Sequence, residues 1–142
     1  MAYAIQPITT TAALTMTRNR HGNTVVVLDS ATGRILTLPA STGSGDVYTV
    51  YVKTTVSSGS HVIQVANSTD VMNGGVAIST DIAGITMLAA ATSDTITLSG
   101  STTGGLAGSF VEVTDVAAGF WLVRCFLVGS GTPATPFSAT VS

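Results

Sequence analysis

Charged residues are scarce in this chain. Lysine, arginine, aspartate and glutamate together make up 8% of its 142 residues, whereas about 25% is typical of soluble domains. Hydrophobic residues make up 45%, so the composition is not that of a disordered segment. A freely soluble monomer normally carries more surface charge than this. The composition therefore favours a protein whose surface is covered by neighbours, as in an obligate oligomer or a lattice.

The few charges do not favour nucleic acid or a membrane as a partner. The formal net charge is −2 with only 5 basic residues, whereas nucleic-acid binding needs clustered lysine and arginine. No apolar run approaches the roughly 20 residues of a membrane span. Residues 1–16 lack the basic start and the unbroken apolar core of a secretory signal. We therefore expect the chain to be made in a cytosol and to bind neither nucleic acid nor a membrane.

Residues in the spacing that catalysis or metal binding requires are also missing. A single cysteine, Cys125, excludes an intrachain disulfide and a site with several cysteine ligands. The two histidines, His21 and His61, stand in no paired ligand motif. The aspartates fall in or beside predicted turns, where their side chains favour hydrogen bonds to the backbone. We therefore expect no enzyme activity, no cofactor and no metal site.

The strongest feature that is present is the apolar segment 119–127. Read with a period of two, its residues divide between two faces. One face carries Trp121, Val123, Cys125 and Leu127, and the other carries Phe120, Leu122, Arg124 and Phe126. A strand with one solvated face alternates apolar with polar residues, but both faces are largely apolar here. We expect this strand to be covered twice, by its own core and by a second layer or another subunit.

Short β-branched runs separated by turn residues predict the fold class. Such runs, spaced about 8–12 residues apart, are typical of an all-β protein, and here predict a single small β-sandwich or barrel of short antiparallel strands. The β domain is predicted over residues 21–128. Residues 1–20 are predicted to form an extended N-terminal arm and residues 129–142 a C-terminal arm, whose prolines exclude a regular central strand.

Turn residues predict three hairpins. Residues 29–33 are predicted to join strands 24–28 and 34–38, and the turn Asn73-Gly74-Gly75 is predicted to reverse the chain after Val71-Met72. Residues 115–119 are predicted to join strand 110–114 to the apolar segment.

If the two strands of the last hairpin are neighbours, Glu112 and Arg124 can form a cross-strand ion pair.

The sequence of residues 81–91 fits either a helix or a strand. Their apolar residues fit a helical stripe that Asp81 could cap, whereas Gly84 and Thr86 disfavour a helix.

Several stretches resemble the capsid decoration, or cement, proteins of tailed bacteriophages. The resemblance covers about residues 22–142 and lies in short β-segments and the loops between them. The segments are Thr37-Leu38-Pro39-Ala40, Gly43-Ser44-Gly45, Tyr48-Thr49-Val50, Val62-Ile63-Gln64-Val65-Ala66-Asn67, Asp70-Val71-Met72-Asn73-Gly74, Ser93-Asp94-Thr95-Ile96-Thr97-Leu98, the loop 102–108, Asp115-Val116-Ala117-Ala118-Gly119-Phe120-Trp121 and Pro133-Ala134-Thr135-Pro136-Phe137-Ser138.

The resemblance implies a structural virion protein without catalytic residues. Such a protein is made in the bacterial host cytoplasm, binds the capsid exterior as a homotrimer, and stabilises contacts between subunits of the major capsid protein. The residues expected to contact another subunit or the capsid are Arg18, Arg20, Phe120, Leu122, Phe126 and Phe137. The two arginines fit an acidic partner patch and equally a solvated turn. The alternative function is a receptor-binding or glycan-binding module of a phage tail fibre or spike.

Overall fold

A computed structural model describes residues 6–141, which form twelve β-strands and one short α-helix. The elements are β1 Ile8–Thr10, β2 Leu14–Thr15, α1 Arg18–His21, β3 Thr24–Leu28, β4 Ile35–Thr37, β5 Val47–Val52, β6 His61–Gln64, β7 Val71–Ser79, β8 Gly84–Leu88, β9 Thr95–Leu98, β10 Phe110–Ala117, β11 Phe120–Val128 and β12 Phe137–Ser138.

The strands form two sheets that pack together, so the predicted all-β sandwich is confirmed. The seven-stranded sheet has the order β1-β3-β5-β10-β11-β7-β8, and the five-stranded sheet has the order β12-β9-β6-β4-β2. Both sheets are mixed rather than wholly antiparallel. The reason lies in the path of the chain, because successive strands from β3 to β6 alternate between the sheets. Each sheet therefore receives its next strand after a crossover, which permits parallel pairing.

A single hydrophobic core fills the space between the two sheets. Trp121 on β11 is fully buried, and its ring meets that of Tyr48 on β5 edge to face, with centroids 5.5 Å apart and an interplanar angle of 76°. The five-stranded sheet contributes Leu36 and Ile63, which are also fully buried. These contacts fix which face of β5 and β11 points inward.

The predicted hairpin of β10 and β11 is confirmed. The strands are antiparallel, with Phe110 opposite Phe126 and Thr114 opposite Leu122, and a bulge lies between Asp115 and Ala117. Burial alternates along β11 from Phe120 onward. The predicted division of this strand into two faces is therefore confirmed.

The predicted hairpin between residues 24–28 and 34–38 is wrong. The first strand, β3, pairs with β1 and β5 in the seven-stranded sheet, while β4 pairs with β2 and β6 in the other. Ser30 and Thr32 hydrogen-bond to each other within the turn, but other bonds tie this segment to distant parts of the chain. Asp29 accepts a hydrogen bond from Thr54 Oγ1 at 2.6 Å, and the Arg34 N–H donates to His61 Nδ1 at 3.1 Å. The turn thus carries the chain from one sheet to the other.

The predicted reversal at Asn73-Gly74-Gly75 is also wrong, because these residues continue β7 alongside β11. Gly74 has a φ of 114°, and a Cβ placed on it would lie 2.2 Å from the carbonyl oxygen of Val123. The glycine therefore lets β7 approach the backbone of β11 closely, a use of glycine that does not require a turn.

Residues 81–91 fit either a helix or a strand by sequence, and the structure shows a strand. Residues 84–88 form β8, which is antiparallel to β7. Asp81 does not cap a helix. Its Oδ1 instead accepts a hydrogen bond from the Gly131 N–H at 2.8 Å.

Both predicted arms contribute strands to the sandwich. Within residues 6–20, β1 pairs with β3 and β2 pairs with β4, so this segment contributes a strand to each sheet. In the C-terminal segment, β12 pairs with β9 at a sheet edge. Residues 1–5 and 142, the ends of the two predicted arms, lie outside the described residues. Contacts of either segment with another subunit stay a prediction.

Replacing Gly74 by alanine tests the close approach of β7 to β11. The variant combines a strained backbone with a clash against Val123, so we expect it to lower the free energy of unfolding by about 3 kcal/mol. Gly45→Ala is the matched control, because Gly45 has a φ of 78° but nothing within 4 Å of its would-be Cβ. The control should cost about 1 kcal/mol. Equal losses in urea unfolding would contradict the close approach.

Candidate interaction surface

The outward residues of β5, β10 and β11 form one surface rich in exposed apolar side chains, which we call the outer face. Phe120, Leu122 and Phe126 on β11 are 46%, 38% and 43% exposed. The strand was expected to be covered on both faces. The core covers one of them, and no described residue buries the other.

An aromatic row crosses three strands of the outer face. The register places Tyr51 of β5 opposite Phe110 of β10, and Phe110 opposite Phe126 of β11. The rings of Phe110 and Phe126 are stacked, with centroids 6.2 Å apart and an interplanar angle of 27°. Tyr51 and Phe110 are each more than a third exposed. Adjacent aromatic rings of this kind are typical of contact surfaces rather than of a solvated sheet face.

The next row of the outer face carries its two charges. Glu112 lies opposite Arg124, and the Arg124 Nε–H donates to Glu112 Oε1 at 3.1 Å, so the optional cross-strand ion pair is present. At the outward positions of β5, β10 and β11, these two residues are the charged ones. The pair is locally neutral, so the outer face has no net charge that would favour an acidic or a basic partner.

A shallow depression borders the aromatic row. It has a volume of about 560 Å³ and is lined by residues of β7 and β8 together with Phe126, including Ala77, Gly84 and Thr86. It is lined by Ala77, whose side chain is small, and by Gly84, which has none, together with the much larger Phe126 ring. An apolar side chain from a partner would fit against Phe126 there.

The six predicted contact residues do not all lie on this surface. Phe120, Leu122 and Phe126 share the outer face. Arg18 and Arg20 lie on α1, and the Arg18 guanidinium already forms an ion pair with Asp46. Phe137 is only 9% exposed and belongs to the core of its own chain. It lies on β12, the edge strand that pairs with β9 in the five-stranded sheet. In the chain as described, Phe137 is therefore an internal anchor.

Tyr51 and Phe110 belong to the outer face but are not among the contact residues predicted from the sequence. The alternating pattern of β5 puts Tyr51 on one face with Val47 and Thr49, but the exposure of that face depends on which side the core takes. That choice follows from the register of β5 against β10, in which Tyr48 lies opposite Val113. An alternating pattern alone does not carry this long-range information.

Both histidines are buried, and the Nδ1 atom of each accepts a hydrogen bond from a backbone N–H. His21 Nδ1 accepts a hydrogen bond from the Thr17 N–H at 2.9 Å, and His61 Nδ1 accepts one from Arg34. Burial lowers the pKa of both histidines below the usual 6.5. Each neutral ring then carries its hydrogen on Nε2, and neither Nε2 has a partner among the described residues. Both rings therefore act as neutral structural acceptors.

Cys125 is a buried thiol on the core side of β11. Burial raises its pKa to about 12, so almost no thiolate, the reactive form, exists near neutral pH. Cys125 is therefore a core residue with an unreactive thiol.

Asp115 holds a loop in place. Its carboxylate accepts hydrogen bonds from the N–H groups of Thr42 and Gly43 and from the hydroxyls of Ser41 and Ser44. Burial alone would raise the pKa of Asp115, but these hydrogen bonds lower it below its usual range. Both oxygens are occupied, so this carboxylate supports the loop rather than offering a free base.

No three or more histidine, cysteine, aspartate or glutamate side chains converge as a metal site within residues 6–141. The one helix formed by those residues, α1, is not long and apolar enough to cross a membrane.

Comparison with known proteins gives no assignment: no protein-family model, curated protein or solved structure matches this chain. The resemblance to phage decoration proteins therefore stays a prediction.

The buried histidines predict a loss of stability on mild acidification. Their pKa values are lowered in the folded state, so the unfolded chain binds more protons below about pH 6.5, and the free energy of unfolding falls as the pH drops. The double variant His21→Asn, His61→Asn keeps an acceptor near each Nδ1 position and removes the titration. We expect a flatter profile between pH 7 and 5 in urea unfolding. An unchanged slope in this variant would contradict the assignment.

Proposed function

We propose that this protein is a structural component of a bacteriophage virion, a decoration protein that binds the capsid exterior as an oligomer and stabilises contacts between major capsid protein subunits. The observation that carries the proposal is the exposed aromatic outer face. Burying such a surface is favourable by about 25 cal/mol for each Å² of apolar area. A role that keeps the surface permanently covered would use this energy.

The composition supports the same role. A cement protein holds neighbouring subunits together without chemistry, so it needs contact area more than it needs catalytic groups. Many weak, equivalent contacts on a regular shell add through multivalency. The scarcity of charge suits a chain that works within an assembly rather than free in solution.

The oligomer is proposed to be a homotrimer on the basis of the sequence resemblance. On the outer face, Phe120, Leu122 and Phe126 are the residues proposed to contact a neighbouring copy or the capsid. The ion pair of Glu112 and Arg124 lies among them. It is neutral overall and would keep its hydrogen bond between β10 and β11 when the surface is covered.

A variant at Phe126 tests this proposal. Phe126 is 43% exposed, so Phe126→Glu should fold, but it places an unpaired charge in the aromatic row. We expect self-association, shell binding or both to weaken by about tenfold or more. Sedimentation velocity measures the first, and co-sedimentation with capsids stripped of the protein measures the second.

The control for this test is Ile35→Glu, because Ile35 is 48% exposed on the five-stranded sheet. If Phe126→Glu affects shell binding alone, the outer face binds the shell. If it affects self-association as well, the outer face lies between copies. Two variants that both assemble and bind like the unchanged protein would contradict the proposal.

The second candidate function is a receptor-binding or glycan-binding module of a tail fibre or spike. It is favoured by the exposed row of Tyr51, Phe110 and Phe126, since flat aromatic surfaces also stack against sugar rings. The copy number in purified virions separates the two functions. Hundreds of copies per particle are expected of a decoration protein, and a handful of a fibre component.

A further inference from the structure

The strand β8 leaves one edge of the seven-stranded sheet open. Its neighbour in the sheet is β7, and no other described strand pairs with it. Its side chains are exposed on both faces, with Leu88 at 83% and Ile85 at 49%. The edge therefore offers both backbone groups and apolar side chains.

Two hydrogen bonds that flank the ladder show which backbone groups face outward. The Ala89 N–H donates to the Gly74 carbonyl, and the Thr80 N–H donates to the Ala83 carbonyl, each at 2.9 Å. Residues of an antiparallel strand alternate between bonding to their partner and pointing away from it. The backbone N–H and C=O groups of Gly84, Thr86 and Leu88 therefore point to the open edge.

This edge lacks the usual protection against pairing with another strand. Natural sheet edges carry charged side chains, prolines or bulges that block such pairing. Residues 82–92 contain no charged residue and no proline, and the pairing of β8 with β7 is regular over all five residues. An unprotected edge of this kind is a template for a further strand.

The sequence of β8 is complementary to itself. If a second antiparallel copy is centred on Thr86, each outward-bonding residue meets another. Thr86 then faces Thr86, and the large exposed Leu88 of each copy faces Gly84 of the other, which has no side chain. Ile85 faces Met87. Paired threonines and paired apolar residues are both favourable across strands, and no charge on either copy opposes the contact.

We propose that two copies of this chain pair through β8, antiparallel about a two-fold axis at Thr86. The two seven-stranded sheets become one continuous sheet, and the β8 edge of each copy is paired. Five residues from each copy make a smaller contact than the roughly 800 Å² per partner of a standard interface. The pairing is therefore weak in solution and gains strength where copies are already held close together.

This inference goes beyond the proposed function and does not depend on it. It uses the backbone edge of β8, whereas the proposed capsid and trimer contacts use Phe120, Leu122 and Phe126 of β11. A second copy can pair through β8 whether the outer face binds a shell, another subunit or a sugar.

Cysteine cross-linking tests both the pairing and its register. In the proposed dimer, two copies of Thr86→Cys lie about 5.5 Å apart at Cα, within the range of a disulfide. Two copies of Leu88→Cys are offset by about 14 Å along the strand, beyond that range. We expect Thr86→Cys to form a disulfide-linked dimer under mild oxidation and Leu88→Cys to form little, although Leu88 is the more exposed position. Cys125 is buried in both variants.

A second pair of variants tests the pairing without a new covalent bond. Thr86→Lys places two like charges at the two-fold axis and should weaken the β8-mediated dimer by about tenfold, whereas Thr86→Val should retain it. Sedimentation equilibrium is measured on Leu122→Glu backgrounds, so that loss of outer-face contacts is accounted for separately. Leu122 is an outer-face residue that does not lie in the row of Thr86. Faster cross-linking of Leu88→Cys than of Thr86→Cys would overturn the register. Equal self-association of the lysine and valine variants, or none in either, would overturn the pairing.

Discussion

The alternation of β11 is the constraint on which the rest of the structure depends. This strand lies between β10 and β7, and its period of two sends Trp121 into the core, where the ring meets Tyr48. The same period sends Phe120, Leu122 and Phe126 to the opposite side. A shift of one residue would exchange the two sets, which would expose Trp121. The core and the outer face are therefore set together, and folding of one chain alone does not bury both.

The apolar exposure is uneven across the sandwich. The seven-stranded sheet carries the aromatic row and the unprotected edge of β8. On the five-stranded sheet, the outward positions include the polar residues Thr37, Gln64 and Thr97 beside the exposed Ile35. The exposed aromatic side chains are thus concentrated on one side of the molecule. A one-sided surface fits a protein that is seated against neighbours on that side.

Local pattern was sufficient to predict the all-β class, the faces of β11 and the β10–β11 hairpin. Those features depend on alternation and on a turn between strands that are adjacent in sequence. The pairing of β3 with β5 and of β7 with β11 depends on contacts between distant segments, which no local pattern encodes. The hairpins predicted from the turn residues 29–33 and 73–75 were wrong for the same reason. Glycine at position 74 serves a close approach to Val123, and the sequence signal for that approach is the same as the signal for a turn.

Contacts between distant segments decide which of the predicted contact residues reach the surface. Phe120, Leu122 and Phe126 share the outer face because alternation alone places them on one side of β11. Phe137 lies in the core because β12 pairs with β9, a contact that no local pattern indicates. Tyr51 and Phe110 join the face through the register of three strands. An alternating sequence defines two faces, and the fold decides which of them meets solvent.

Hydroxyl-radical footprinting of the assembled protein tests most directly whether the outer face is covered in the functional state. Phe110 and Phe126 are 40% and 43% exposed in the single chain, and Ile35 on the opposite sheet is 48% exposed. If neighbours cover the outer face, the oxidation of Phe110 and Phe126 falls sharply between the dissociated and assembled states, while that of Ile35 changes little. Equal oxidation of the two phenylalanines in both states would contradict the account.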